Sequence, residues 1–345
     1  MNNTSQTIHI IRFSALGDLV TFEPILRGIR HFYPNAKIIF YTSNLGKDLY
    51  SNSGVLSEII PLKKYWFFDR PSIVISIIRD LFRQREGMVI NLQCNKPSHI
   101  LTKLLMPKKQ VYWTRTIKDS LLGRRPKPLL KTELFTQMGL NPESVQSYWN
   151  KTKNNEPVLN IPETHQKKWR ISLCKKPIIG FVPGASSRWK SKRWPSKSYI
   201  KLAHQLSGMG YQIVLLGDAD NQKEALPIEQ AHSEVKNLCG GTSITELTSL
   251  ISICDLLIGS DTGPMHIAGA LRVPTITLFG PTSPSHISDV GYGGLHKQLQ
   301  ASPTVCSTCY KRKCNLYEKC MNTITVQEVL YCAIDSLGIA GKKNK

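Results

Sequence analysis

Short apolar runs recur along the chain, each ending in a turn rich in glycine, serine or aspartate and followed by an amphipathic stretch. The first runs from Ile8 to Phe13 and gives way to Ser14-Ala15-Leu16-Gly17-Asp18. Phe22, Ile25, Leu26 and Ile29 then fall on one face of a helix that Pro34 stops. Further strands are predicted over Lys37 to Thr42 and Met88 to Leu92, with a helix over Ser72 to Arg83 between them. Strands alternating with helices in this way predict a parallel sheet covered on both faces.

A second series of the same kind begins at Ile178 to Val182. A loop to Pro195, a helix to Met209, a strand over Gln212 to Leu216 and a helix over Asp220 to Ala231 follow. Helix Ser243 to Cys254, strand Leu256 to Gly259, the turn Ser260-Asp261-Thr262-Gly263, helix Pro264 to Leu271 and strand Thr275 to Phe279 continue it. Between the two series, Lys108 to Lys176 is basic, proline-containing and weakly periodic. Its least regular pieces are Arg124-Arg125-Pro126-Lys127-Pro128 and Asn154-Asn155-Glu156-Pro157, and a linker is placed toward its end. The expected organisation is one Rossmann-like domain over 1–165 and another over 166–325. A helix and a Lys-rich tail over 326–345 would complete the chain and could pack back toward the first domain.

Length supports two domains, because 345 residues with 41% hydrophobic side chains exceed one ordinary core, and two domains imply a cleft. Composition adds a charge of +21, and residues 1–160 carry 23 basic against 11 acidic side chains. Such a surface attracts anions: nucleic acid, acidic membrane and phosphorylated substrate all fit. The opening segment does not read as an export signal, and no apolar run reaches the roughly 18 residues of a spanning helix. A cytoplasmic protein, peripheral to a membrane at most, is therefore expected. Nine cysteines without an export signal argue against a disulfide framework.

In open parallel sheets, ligands bind at the carboxyl ends of strands, where helix N-termini offer free amides to anions. Three loops qualify. In Ser14 to Asp18, Gly17 can adopt a conformation closed to other residues, and Asp18 could act as a base or simply cap the next helix. The loop lacks the G-x-G-x-x-G spacing of dinucleotide sites. The second loop, Pro183 to Pro195, combines Ser186 and Ser187 with Arg188, Lys190, Lys192 and Arg193 and with the indoles of Trp189 and Trp194. Hydroxyls and amides suit phosphate oxygens, and a lysine could neutralise a departing diphosphate; a solvated basic loop is the plainer reading. The third, Gly259 to His266, opens a helix with Pro264 in its first turn, where His266 could touch phosphate or merely pack. Gly217-Asp218-Ala219-Asp220 also ends a strand, and Asp220 could hold ribose hydroxyls or cap the next helix.

Taken in order, IIRFSALGDLV, GFVPGASSRWKSKRWP, LLGDAD and DLLIGSDTGPMHIAGALRVPTITLFGPTSP resemble the landmarks of glycosyltransferase family 9, the ADP-heptose:lipopolysaccharide heptosyltransferases. The resemblance implies a GT-B fold, an α/β build with two Rossmann-like doubly wound domains facing a central cleft. It implies an inverting, metal-independent transfer of L-glycero-D-manno-heptose from ADP-heptose to Kdo-lipid A or a heptosylated core. By the same resemblance Asp18 is the base, with Ser14 and Gly17 in its acceptor loop. Ser186, Ser187, Lys192, Asp261, Thr262, Gly263 and His266 bind the donor and its diphosphate, and Asp220 the ribose or base. Arg188, Trp189 and Lys190 stand where some relatives carry acidic residues, and Asp220 where a glutamate could hold the ribose, which leaves donor identity open.

The transfer would need no general acid, because a diphosphate leaves as a stabilised anion. It would need no cofactor either, since Asp218 and Asp220, the one D-x-D spacing near the donor loops, sit where ribose would bind. Expected partners are the nucleotide-sugar donor, an anionic lipid-linked saccharide and the inner-membrane surface, not nucleic acid, with the protein acting as a monomer. Cys306, Cys309, Cys314 and Cys320 form C-x2-C-x4-C-x5-C, which could close a structural zinc site or supply packed or free thiols. Three other functions remain: a transferase using another nucleotide sugar, a non-catalytic sugar-nucleotide binder, and a basic nucleic-acid binder. The last leaves the strand-end loops unexplained.

Overall fold

The run that opens the chain becomes β1 (Thr7–Ile11), the central strand of a five-stranded parallel sheet. In this computed structural model residues 6–62, 87–113, 131–151, 156–161, 163–173, 176–284, 295–302, 308–314 and 319–341 are described. The expected helix over Ser72 to Arg83, the Arg124 to Pro128 cluster, Asn154-Asn155 and Cys306 lie outside them. The chain divides into two units, Met1–Glu156 and Pro157–Lys345.

In the first unit β1 is followed by α1 (Leu16–Thr21), α2 (Glu23–Phe32), β2 (Lys37–Thr42), α3 (Asn44–Tyr50) and β3 (Glu58–Pro61). Then come β4 (Met88–Asn91), α4 (Lys96–Leu104), β5 (Lys109–Tyr112), α5 (Lys131–Gln137) and α6 (Pro142–Trp149). The strand order is β3-β2-β1-β4-β5, with Ile8 opposite Ile38 on one side and Met88 on the other. The single helix expected after Asp18 is two. Pro24 has no amide to bond back to Val20, so the helix ends at Phe22 and restarts with the proline in its first turn. The stretch that looked weakly periodic supplies α5 and α6, which bury Leu134, Phe135, Val145 and Trp149 in the core beneath the sheet.

The second unit contains α7 (Glu163–Leu173), β6 (Ile178–Val182), α8 (Ser196–Gly208), β7 (Gln212–Leu215), α9 (Gln222–Ala231) and β8 (Lys236–Asn237). It continues with α10 (Ile244–Ser252), β9 (Leu256–Ser260), α11 (Gly263–Ala270), β10 (Thr275–Phe279), β11 (His296–Gln300), the short turn Lys319–Asn322 and α12 (Val326–Gly341). Its six parallel strands run β11-β10-β9-β6-β7-β8. Helix α12 packs on α8 and against β9 and β10, within this unit.

Each sheet has one point where the chain reverses its direction of travel across the strands: between β1 and β4 in the first unit, and between β6 and β9 in the second. At such a point the two loops leave opposite faces of the sheet and open a crevice at its carboxyl edge. The loops after β1 and β6, and the turn after β9, are the three singled out from sequence.

Candidate active site

At the switch point of the first unit, Gln93, in the loop after β4, accepts hydrogen bonds through Oε1 from the amides of Phe13 (2.9 Å) and Ser14 (3.2 Å). This side chain ties the loops after β1 and β4 together. The Ser14–Ala15 peptide is cis. Asp18 is neither the first helical residue nor the N-cap. Ala15 is the cap, and Asp18, three residues on, accepts from the Ala15 amide through Oδ2 at 3.0 Å. The same oxygen forms an ion pair with Arg12 Nη2 at 2.9 Å, and Arg12 Nη1 also donates to the Leu92 carbonyl. Both contacts use Oδ2, and among the described residues Oδ1 makes no hydrogen bond or ion pair. With its side chain 55% exposed, Asp18 presents an oriented carboxylate with one free oxygen. Gly17 is an ordinary helical residue of α1 rather than a left-handed one, so the special conformation expected for it is absent.

The second unit places Lys192 and Asp261 together at its switch point. Lys192 Nζ donates to Asp261 Oδ2 at 2.6 Å and to the Asp261 carbonyl at 2.9 Å. Thr282 Oγ1 donates to the same carboxylate oxygen at 2.9 Å, and His266 Nε2 stands 3.6 Å from Oδ1. Burial by itself would raise the Asp261 pKa. The hydrogen bond from His266 and the charge of Lys192 outweigh it, and the carboxyl is held well below the usual carboxylate range. Asp261 thus stays ionised and fixes a lysine whose side chain is only 14% exposed.

Thr262 does not cap α11 with its side chain; its hydroxyl donates to the Ser260 carbonyl at 3.1 Å. The N-terminus that Gly263 and Pro264 open is therefore left without a side-chain cap, an arrangement that favours an anion. Ser186 and Ser187 are exposed at the tip of the loop after β6. The loop's base is held by Asn221, whose Nδ2 donates to the Ala185 carbonyl at 3.2 Å and whose Oδ1 accepts from the Asp218 amide at 3.3 Å. A Cβ on Gly184 would stand 2.3 Å from the Asn221 amide, so only glycine permits this closure.

The cations and indoles of that loop separate into roles the sequence could not distinguish. Arg193 pairs with Glu224 and donates to the Ala185 carbonyl at 3.3 Å, a brace for the loop. Trp194 is core, 1% exposed, with its indole N–H on the Ile324 carbonyl at 2.9 Å. Trp189 is half-buried, with Lys192 Nζ 4.9 Å from its ring centroid. Asp220 lies exposed in a one-turn helix, Ala219–Asn221, and does not cap α9; Asp218 stands at the cap position of that turn. Arg12, Gln93, Thr282, Asn221 and Glu224 were not anticipated. Arg12 and Thr282 lay inside quoted motifs without a role; the other three gain their meaning from pairings with residues far away in the sequence.

None of the seven described cysteines is in a disulfide. Cys320 is buried beside Gly280, whereas Cys309 and Cys314 are half-buried in 308–314. Among the described residues no group of three or more His, Cys, Asp or Glu side chains could hold a metal ion. No described helix is long and apolar enough to cross a membrane.

Two parallel α/β units, with an uncapped helix N-terminus and a fixed lysine at the switch point of the second, are the build of a GT-B glycosyltransferase. The model of glycosyltransferase family 9 (heptosyltransferase) matches residues 75–320, and the chain belongs to that family. It is 42% identical over 144 residues to lipooligosaccharide heptosyltransferase 2 of Haemophilus influenzae, a match spanning 38% of this chain and less than half, 41%, of that protein. It is 26% identical over 321 residues to lipooligosaccharide heptosyltransferase 2 of Campylobacter jejuni, covering 91% of this chain and 94% of the relative. The solved structure of E. coli ADP-heptose lps heptosyltransferase II shares the fold at a TM-score of 0.73 and 22% identity, over 96% of this chain and 98% of that one.

Proposed function

We propose that the protein moves L-glycero-D-manno-heptose from ADP-heptose to an inner-core lipopolysaccharide acceptor, Kdo-lipid A or a heptosylated core, with inversion at the anomeric carbon. The names of the relatives above support the donor and acceptor classes. The observation that carries the reading is Lys192, held by Asp261 beside the uncapped N-terminus of α11. A half-buried cation fixed before the reaction stabilises charge that develops on a departing diphosphate without reorganising at the moment of transfer.

Asp18 supplies the base. Its Oδ2 is anchored by Arg12 and the Ala15 amide, and its unpartnered Oδ1 takes the acceptor proton as the sugar hydroxyl attacks. The C1–O bond to the diphosphate breaks as the new glycosidic bond forms, and ADP leaves as an anion. Ser186, Ser187, Thr262 and Gly263 contact phosphate oxygens. Asp261 acts through Lys192 and His266 instead of touching the diphosphate with its own carboxylate. Asp220, exposed in the turn that follows β7, takes the ribose hydroxyls in this reading. Acceptor activation belongs to the first unit, donor binding to the second, and no step needs a metal.

The enzyme would work as a monomer on the cytoplasmic face of the inner membrane, its positive charge drawing the phosphorylated acceptor. For Cys306, Cys309, Cys314 and Cys320 a structural zinc remains the alternative to packed thiols, and metal analysis of the purified protein separates them.

The test is ADP release from ADP-heptose with each acceptor, comparing wild type with Asp18→Ala. Loss of turnover with donor binding retained supports the assignment of the base. Turnover that persists in the variant moves the base elsewhere, and wild-type silence with every sugar nucleotide refutes transfer.

A further inference from the structure

The segment 308–314, which carries Cys309 and Cys314, is seated on the phosphate loop of the second unit. Ser191, 2% exposed, donates through its hydroxyl to the Lys311 carbonyl at 2.6 Å and through its amide to the Arg312 carbonyl at 3.4 Å. On the other side, the Tyr310 amide donates to the Pro281 carbonyl at 2.8 Å. The backbone of 310–312 is thus fixed to two strand-end loops, those after β6 and β10, and Arg312 is held in a set place relative to both.

That place is beside Trp189. The guanidinium carbon of Arg312 lies 5.8 Å from the ring centroid, and Lys192 Nζ lies 4.9 Å from the same ring. One indole therefore organises two cations, each within the range of a cation–π contact. Lys192 is neutralised by Asp261, whereas Arg312 is exposed and has no carboxylate partner among the described residues. The planar fork of a guanidinium is suited to two oxygens of one phosphate, and stacking on an aromatic face holds it without using its donors.

We propose that Arg312 is a second cationic contact for the donor's diphosphate, presented to the phosphate loop by Ser191 and stacked on Trp189. This deepens the proposed function and rests on its reading of the second unit as the donor site. Lys192 carries a charge already balanced by the protein. Arg312 adds the unbalanced charge that a nucleoside diphosphate brings a partner for, and so sets affinity for the diphosphate more than the rate of transfer.

The experiment is calorimetric titration of the full-length protein with ADP and with AMP at two salt concentrations, for wild type, Arg312→Ala, Arg312→Lys and Ser191→Ala, with thermal melts as a check on folding. Arg312→Ala is expected to weaken ADP binding roughly tenfold or more, to affect AMP less and to flatten the salt dependence. Arg312→Lys should recover part of the loss, and Ser191→Ala should fall between. ADP affinity in Arg312→Ala equal to that of wild type, or AMP weakened as much as ADP, overturns the role of Arg312 while leaving the donor site standing. A wild type that binds neither nucleotide overturns the donor site and this proposal with it.

Discussion

Lys192 donates to both the carboxylate and the backbone carbonyl of Asp261, 69 residues further along the chain, and so joins the loops after β6 and β9 at one ammonium group. A lysine held at two points loses the freedom of its long stem when the protein folds, before any ligand arrives. The carboxylate that holds it is itself an anion beside the place where a diphosphate would sit. Asp261 thus favours orientation of Lys192 at the expense of ground-state attraction.

Asp261→Asn tests that opposition. The amide keeps the shape and an acceptor oxygen but removes the charge, so ADP should bind as tightly as in wild type or tighter. Transfer should slow by up to about 10²–10³-fold, the range found when one preorganised electrostatic donor is removed. Calorimetric Kd for ADP and kcat at saturating donor separate the two effects. Loss of affinity and rate together would make Asp261 a direct ligand and not a positioning residue.

Arg12 has the corresponding role in the first unit, bridging Asp18 Oδ2 and the Leu92 carbonyl with two nitrogens of one guanidinium. A lysine offers one nitrogen where the fork offers several, so Arg12→Lys can satisfy one partner well but not both. The expected result is kcat lower by about tenfold, with donor affinity unchanged, because the proposed donor loops belong to the other unit. An equal fall in ADP affinity would show that Arg12 acts on the protein as a whole and not on the base.

The strands read from the sequence and those missed differ in one physical respect. β1, β2, β4, β6, β7, β9 and β10 all have neighbours on both sides, and they appear as apolar runs. The four edge strands β3, β5, β8 and β11 pair on one side only and are partly exposed, so His296-Lys-Gln-Leu-Gln can be a strand without an apolar pattern. The site divides in the same way. Loops at strand ends were legible because glycine, proline and hydroxyl residues cluster there. The contacts that orient Asp18 and Lys192 were not, since Arg12 with the Leu92 carbonyl, Gln93 with the Phe13 and Ser14 amides, and Thr282 with Asp261 meet only in the folded chain.

Trp194 closes the loop after β6 against the segment just before α12, filling the core while its N–H serves the Ile324 carbonyl. Trp194→Phe should cost about 1–3 kcal/mol, mainly through the carbonyl left without its donor. Trp194→Ala, which leaves a cavity as well, should cost about 3–5 kcal/mol. Urea melts give the difference. A phenylalanine variant as unstable as the alanine variant would mean that the hydrogen bond, and not the volume, fixes this corner.

His9 makes stability depend on pH in a window set by its own burial. It lies in the middle of β1, 5% exposed, with Nδ1 3.2 Å from the Tyr41 hydroxyl. Burial first, and the nearby charge of Lys37 second, lower its pKa from 6.5 to about 4. As pH falls, the unfolded chain takes up a proton at this histidine near 6.5 and the folded protein only near 4, so between those values the unfolded state binds more protons. Stability from this group is therefore intact above 6.5, declines as pH drops through the window and levels off below 4, a total of about 3 kcal/mol. Other groups titrate over the same range, and the comparison that isolates His9 is wild type against His9→Gln in urea melts at pH 7, 5.5 and 4.5. The variant should be the less stable at pH 7 for loss of packing, yet the gap should narrow at each step down in pH. A constant gap would mean that His9 is protonated in the folded protein as readily as in the unfolded chain.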